Sequence, residues 1–90
     1  MNNILSDTDT QAVLDILVEE LGVQRAQLTA IARIQEDLGA DSLTVIEIAM
    51  AMEDRFDLSI PDEQWGTVST VGDLLETLAK LLGNTEQRPN

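Results

Sequence analysis

The sequence predicts an all-α domain: a small four-helix bundle with three longer helices, one short helix and a long loop between helices 1 and 2. Three observations predict it. Hydrophobic residues make up 43% of the chain but aromatics only 2%, so the core is built from Leu, Ile, Val, Ala and Met, a mix that favours helices. Apolar residues recur at helical spacing in three separate stretches, divided by Gly, Pro and Asp breaks. Ninety residues suffice for one core but not for a second domain or a deep catalytic cavity.

Asp7 to Thr10 offers N-caps for a first helix over Asp9 to Leu21, in which Val13, Leu14, Ile16, Leu17 and Leu21 repeat with helical period. Gly22 follows the last of them and suits a helix C-terminus. From Val23 to Ala40 the apolar anchors Val23, Leu28, Ile31, Ile34 and Leu38 are scattered. This stretch reads as a long packed loop, with a short helix around Gln24 to Ala32 as the alternative. Asp41 caps the next helix, Ser42 to Phe56, which is rich in helix formers. Asp57 to Ser59 breaks it, and Pro61 suits the first turn of a short helix over Pro61 to Trp65, ended by Gly66. Thr70-Val71-Gly72-Asp73 resembles a capping box ahead of Leu74, Leu75, Leu78, Leu81 and Leu82, so the last helix is expected to end near Gly83. Residues 1–83 are taken as the domain and residues 84–90, polar and containing Pro89, as a flexible tail.

Composition excludes several functions. Seventeen acidic against five basic side chains give a net charge of −12, which repels nucleic acid and anionic bilayers and favours basic protein partners. Without cysteine or histidine there is no thiolate nucleophile, no disulfide framework and no imidazole to activate a serine or hold zinc. A G-x-S-x-G elbow is missing, and no EF-hand loop is present. No segment of the sequence approaches the roughly 20 consecutive apolar residues that a membrane span needs. A cytoplasmic, non-catalytic monomer is expected.

The second helix carries more than packing requires. At about 100° per residue, Val45, Ile48, Ala49, Met52 and Phe56 form a core stripe, leaving Leu43, Ile46, Glu47, Met50, Glu53 and Asp54 opposite. Three apolar side chains among three carboxylates read as a docking face: adaptable apolar contact with an acidic rim that speeds encounter with a basic partner. The bland reading is that Leu43 and Ile46 touch the preceding loop and Met50 is an ordinary exposed residue. Charge favours docking, because Glu36 to Glu63 holds nine acids and one base. At the head of this helix, Asp37-Leu38-Gly39-Ala40-Asp41-Ser42-Leu43 sets a reachable serine behind a small, flexible loop. A phosphate on Ser42 would lie beside unpaired N–H groups at the positive helix end. A serine there is more commonly part of a cap.

Gly39-Ala40-Asp41-Ser42-Leu43, preceded by Glu36-Asp37-Leu38, resembles the phosphopantetheine attachment motif of acyl carrier proteins. The resemblance continues through Glu47, Met50, Ala51, Glu53, Phe56, Ile60-Pro61-Asp62-Glu63 and Thr70-Val71-Gly72-Asp73-Leu74, covering Asp9 to Leu82. It implies a carrier in which a holo-synthase uses coenzyme A and magnesium to attach 4'-phosphopantetheine to Ser42, and the prosthetic thiol then carries an acyl group as a thioester. It further implies that Asp41 and Leu43 flank the site for recognition and that Ile46, Glu47, Met50, Glu53 and Asp54 meet partners. Those partners would be the holo-synthase and acyl-loading, condensing and acyl-transfer enzymes with basic patches. Phe56, Ile60, Val68, Leu74 and Leu78 would line a shelter for the acyl chain, unless they simply pack the core. Thr44 stands where fatty-acid-synthesis carriers usually have an acid and Val45 where they usually have threonine, while Trp65-Gly66 replaces a more polar stretch. The pathway expected is therefore fatty acid, lipid or polyketide-type biosynthesis. A peptidyl carrier is disfavoured by Asp41, and a helical interaction module would leave Ser42 unmodified.

Overall fold

A computed structural model describes residues 5–87. Four helices follow in order: α1 Asp7–Leu21, α2 Ser42–Phe56, α3 Asp62–Trp65 and α4 Val71–Gln87. Helix α2 has the bounds read from the sequence, because both ends carry local signals. The Asp41 carboxylate accepts from the Thr44 N–H at 2.8 Å, and Asp57 ends the helix in the left-handed region at φ 55°, where aspartate is tolerated better than most residues. Helix α1 starts two residues earlier than expected. Its cap is Ser6, whose hydroxyl accepts from Asp9 N–H at 3.1 Å, and Gly22 closes it at φ 68°. Pro61 lies one position outside α3, as its cap, and Gly66 follows the last helical residue.

Thr70 and Asp73 form the expected reciprocal box: Asp73 N–H donates to Thr70 Oγ1 at 3.0 Å and Thr70 N–H to Asp73 Oδ2 at 3.2 Å. The same carboxylate oxygen also accepts from Ser69 N–H. Helix α4 does not stop near Gly83 but continues to Gln87; a glycine permits a helix end without requiring one. Of the expected polar tail, residues 88–90 lie outside the described residues.

The core lies between α1, α2, α4 and the long loop. Val13 and Leu17 of α1, Ile48 and Met52 of α2, and Val71, Leu74 and Leu78 of α4 are almost wholly buried. Leu28, Ala32, Ile34, Leu38 and Ala40 complete it from the loop, so the loop is a wall of the bundle. The alternative of a short helix reduces to one 3-10 turn over Arg25–Gln27, tied to α1 by the Arg25–Asp15 ion pair. Beyond it residues 29–32 form a turn, Ala32 N–H donating to Thr29 O, and the chain then pairs with the approach to α4: Ile34 N–H donates to Ser69 O, Val71 N–H to Ala32 O and Gly72 N–H to Ala30 O. Ile31 sits at the outside of this turn, while Ala32 and Ile34, on either side of the bridge residue Arg33, face inward. Ile31 is consequently 82% exposed and is not the anchor its apolar character suggested.

This pairing needs a glycine at 72. A Cβ there would stand 2.9 Å from the Ala30 carbonyl oxygen, which is backbone and cannot swing aside. Gly72→Ala should cost about 1–3 kcal/mol in strain and regain up to about 1 kcal/mol in helix propensity, a net loss that denaturant unfolding would measure.

Candidate functional site

The site is the junction of the loop and α2. Arg33 organises the approach: its backbone N–H donates to Asp37 Oδ2 at 2.9 Å, its guanidinium pairs with Glu36 at 2.8 Å, and its carbonyl accepts from the Asp37 and Leu38 N–H groups. The turn this makes seats Leu38 and Ala40 in the core, and Ala40 N–H donates to Ile34 O. Between them Gly39 takes φ 79°, a conformation side-chain-bearing residues rarely adopt. Chain direction is thereby fixed on both sides of Gly39, and Asp41 and Ser42 emerge at the surface.

Ser42 is the first residue of α2 and is exposed. The cap is Asp41, so the serine hydroxyl is free of that duty and has no protein partner among the described residues. The neighbouring N–H groups are not all vacant, since Thr44's is taken by the Asp41 carboxylate. That bond, with the other backbone donors of the helix end, holds the Asp41 pKa below its ordinary value. Asp37 is lowered chiefly by the Arg33 backbone N–H, and Asp73 by those of Ser69 and Thr70.

A lowered carboxylate pKa contributes stability above the unfolded value, about pH 4, that is lost as pH falls through the folded value. Asp73→Ala should therefore melt several degrees below the native chain at neutral pH. The gap should close as the pH is lowered below about 4, and thermal melts across that range would check it.

Leu43, Ile46 and Met50 are 63%, 54% and 61% exposed, with exposed Glu47 and Asp54 on the same helix. The exposed apolar surface is real. Glu53 differs from the other acids: it is partly buried, and its carboxylate accepts from Ile60 N–H at 2.7 Å, which holds the α2–α3 connection against α2.

Two clefts lie where α2 faces Trp65 of α3. One, of about 330 Å³, is lined by residues including Ile34, Val45, Trp65 and Val68. The other, of about 240 Å³, runs along α2 past Val45, Ile46, Ala49, Met50 and Glu53 to Ile60 and Trp65. Val45, Ile46 and Ala49 stand three, four and seven positions after Ser42, which puts them on the serine's side of the helix. Of the five residues expected to line an acyl shelter, Val68 borders the first cleft and Ile60 the second. Leu74 and Leu78 are fully buried core, and Phe56 packs against that core at the far end of α2. Val45 and Trp65 border both clefts. A cleft wall that arises only when α3 folds against α2 leaves no periodic mark, although an aromatic in so aromatic-poor a chain was a signal.

Comparison with known proteins decides the family. A family model described as the phosphopantetheine attachment site matches residues 11–84. The chain belongs to the acyl carrier proteins. It is 46% identical over 68 residues to the acyl carrier protein of Syntrophobacter fumaroxidans, covering 76% of this chain and 84% of that one. The Bdellovibrio bacteriovorus acyl carrier protein is 50% identical over 68 residues, covering 76% and 87%. That of Akkermansia muciniphila is 41% identical over 73 residues, covering 81% and 91%. As an acyl carrier protein the chain takes phosphopantetheine and carries acyl groups in fatty acid or related biosynthesis, interacting with synthase and acyl-transfer enzymes rather than catalysing a reaction. Among the described residues no helix is long and apolar enough to cross a membrane.

Proposed function

We propose that Ser42 Oγ is the atom to which a holo-synthase, drawing on coenzyme A and magnesium, joins the 4'-phosphopantetheine arm. The observation that carries this is an exposed serine hydroxyl, without a protein partner, at the head of α2 within the matched segment. The residues fit the group. Gly39 and the Arg33–Asp37 turn aim Ser42 outward, Asp41 holds the helix end without drawing on the serine, and the positive end of α2 faces the phosphate. Asp41's negative charge partly offsets that attraction. The arm, when bound, supplies the thiol that this cysteine-free chain lacks. No histidine is present to take the serine proton, so the base belongs to the synthase.

Leu43, Ile46, Met50, Glu47 and Asp54 form the docking face in this reading, for the holo-synthase first and for acyl-loading, condensing and acyl-transfer enzymes afterwards. Exposed apolar side chains among carboxylates match a partner that offers an apolar hollow inside a basic rim. A cytoplasmic monomer, with residues 1–83 as the carrier domain, completes the reading. Intact mass spectrometry after incubation with coenzyme A, magnesium and a broad-specificity holo-synthase should show one phosphopantetheine increment. No gain with several synthases would overturn the assignment.

A further inference from the structure

The pairing of the loop with the approach to α4 uses backbone groups of Ala32 and Ile34. Arg33, the bridge residue between them, is left with an N–H and a carbonyl that take no part in it. One short turn takes up both. The Asp37 carboxylate accepts from Arg33 N–H at 2.9 Å, and Arg33 O accepts from Asp37 N–H at 2.8 Å and Leu38 N–H at 3.0 Å. Among the described residues, Asp37 has the only side chain of the segment 34–40 that bonds to backbone. Three further bonds lead from that turn to the head of α2. Ala40 N–H donates to Ile34 O at 3.1 Å, Thr44 N–H to the Asp41 carboxylate at 2.8 Å and Val45 N–H to Asp41 O at 3.0 Å. Asp41 serves both of its donors only if Ala40 delivers it to one place, and Ala40 is held by the Ile34 carbonyl beside the turn. Without the Asp37 bond the loop still buries Leu38 and Ala40 in the core, but it loses the one side chain that closes the turn.

We propose that Asp37 is a positioning residue for the attachment reaction: by closing the turn on Arg33 N–H it holds the first turn of α2, and Ser42 Oγ with it, in one place. This rests on the attachment proposed above. In that step Ser42 Oγ bonds to the phosphorus that carries the pantetheine arm, and the pyrophosphate linkage of coenzyme A breaks. Adenosine 3',5'-bisphosphate leaves, and the serine proton passes to the base of the synthase. Asp37 touches none of the reacting atoms and acts through Gly39, Ala40 and Asp41. Ile46, Glu47, Met50 and Asp54 lie on later turns of α2, so docking does not depend on the turn. A misplaced nucleophile lowers the rate of a docked complex rather than its affinity.

Steady-state loading of the full-length chain tests this, with the carrier as the varied substrate of a broad-specificity holo-synthase and intact mass as the readout. Asp37→Ala should lower kcat roughly tenfold and leave KM within about twofold of native. Asp37→Asn loses the charge but keeps an acceptor oxygen for Arg33 N–H, and should recover most of the lost kcat. A merely structural role does not give this split. Because the carrier is the substrate, an unfolded fraction lowers its effective concentration and raises KM, while kcat at saturation stays. Hydrogen exchange reads the same device without turnover: the Thr44 and Val45 amides should exchange faster in Asp37→Ala, while those of residues 48–52 keep their protection. A kcat in Asp37→Ala equal to the native value overturns this inference and leaves the attachment standing. So does a KM that rises equally in Asp37→Ala and Asp37→Asn, which would make Asp37 a docking charge. Failure of the native chain to gain mass with several synthases overturns both.

Discussion

Ser42→Ala is expected to fold as the native chain does and to gain no mass from coenzyme A. The two halves of that result come from different residues. Loading fails because no other side chain stands at the head of α2 with a free hydroxyl, and Thr44, the next hydroxyl along, is only partly exposed. Folding survives because the helix is capped by Asp41, which accepts from Thr44 N–H. Had Ser42 been the cap, its loss would have cost about 0.5–2 kcal/mol. As an exposed residue outside the cap it should cost less than about 0.5 kcal/mol. Intact mass reports the first half, and a denaturant melt the second. A mutant that still accepts the arm would move the attachment to another residue. One that unfolds would show that the hydroxyl supports the helix end after all.

Reversing Glu47 and Asp54 together to lysine should slow loading about tenfold and weaken its dependence on salt. Both are exposed on α2, so the change removes attraction for a basic partner without disturbing a contact inside the fold. Initial rates of arm attachment at low and high ionic strength measure it. Unchanged rates would place docking on another face. Glu53 is the instructive control. Glu53→Lys deletes the acceptor of Ile60 N–H and should lower stability by about 1–3 kcal/mol, so a rate loss in that variant mixes docking with structure. The Glu47 and Asp54 pair separates them.

Much of this molecule was legible before any tertiary contact was known, and the legible parts share a cause. Helix α2 kept its expected bounds because a capping aspartate and a break sit within a few residues of its ends. The Thr70–Asp73 box is likewise local, a pattern of four residues that satisfies its own backbone donors. The parts that were not legible depend on distant partners. Ile31 was expected to be an anchor, yet it lies in the turn of residues 29–32 and faces outward, and the pairing of the loop with the approach to α4 makes Ala32 and Ile34 the buried pair. Glu53 belonged to an acidic face until the α2–α3 connection folded back and placed Ile60 N–H against it.

The sequence by itself determined a cysteine- and histidine-free helical carrier, with Ser42 at the head of an apolar, acid-rimmed helix, because composition, caps and motif spacing act over a few residues. Only the tertiary structure decided which carboxylates are tied up within the fold, that the long loop is a wall of the core, and that two clefts border Trp65. Those features are made where segments far apart in the chain converge, and the burial, pairing and cleft shape they create have no counterpart in local pattern.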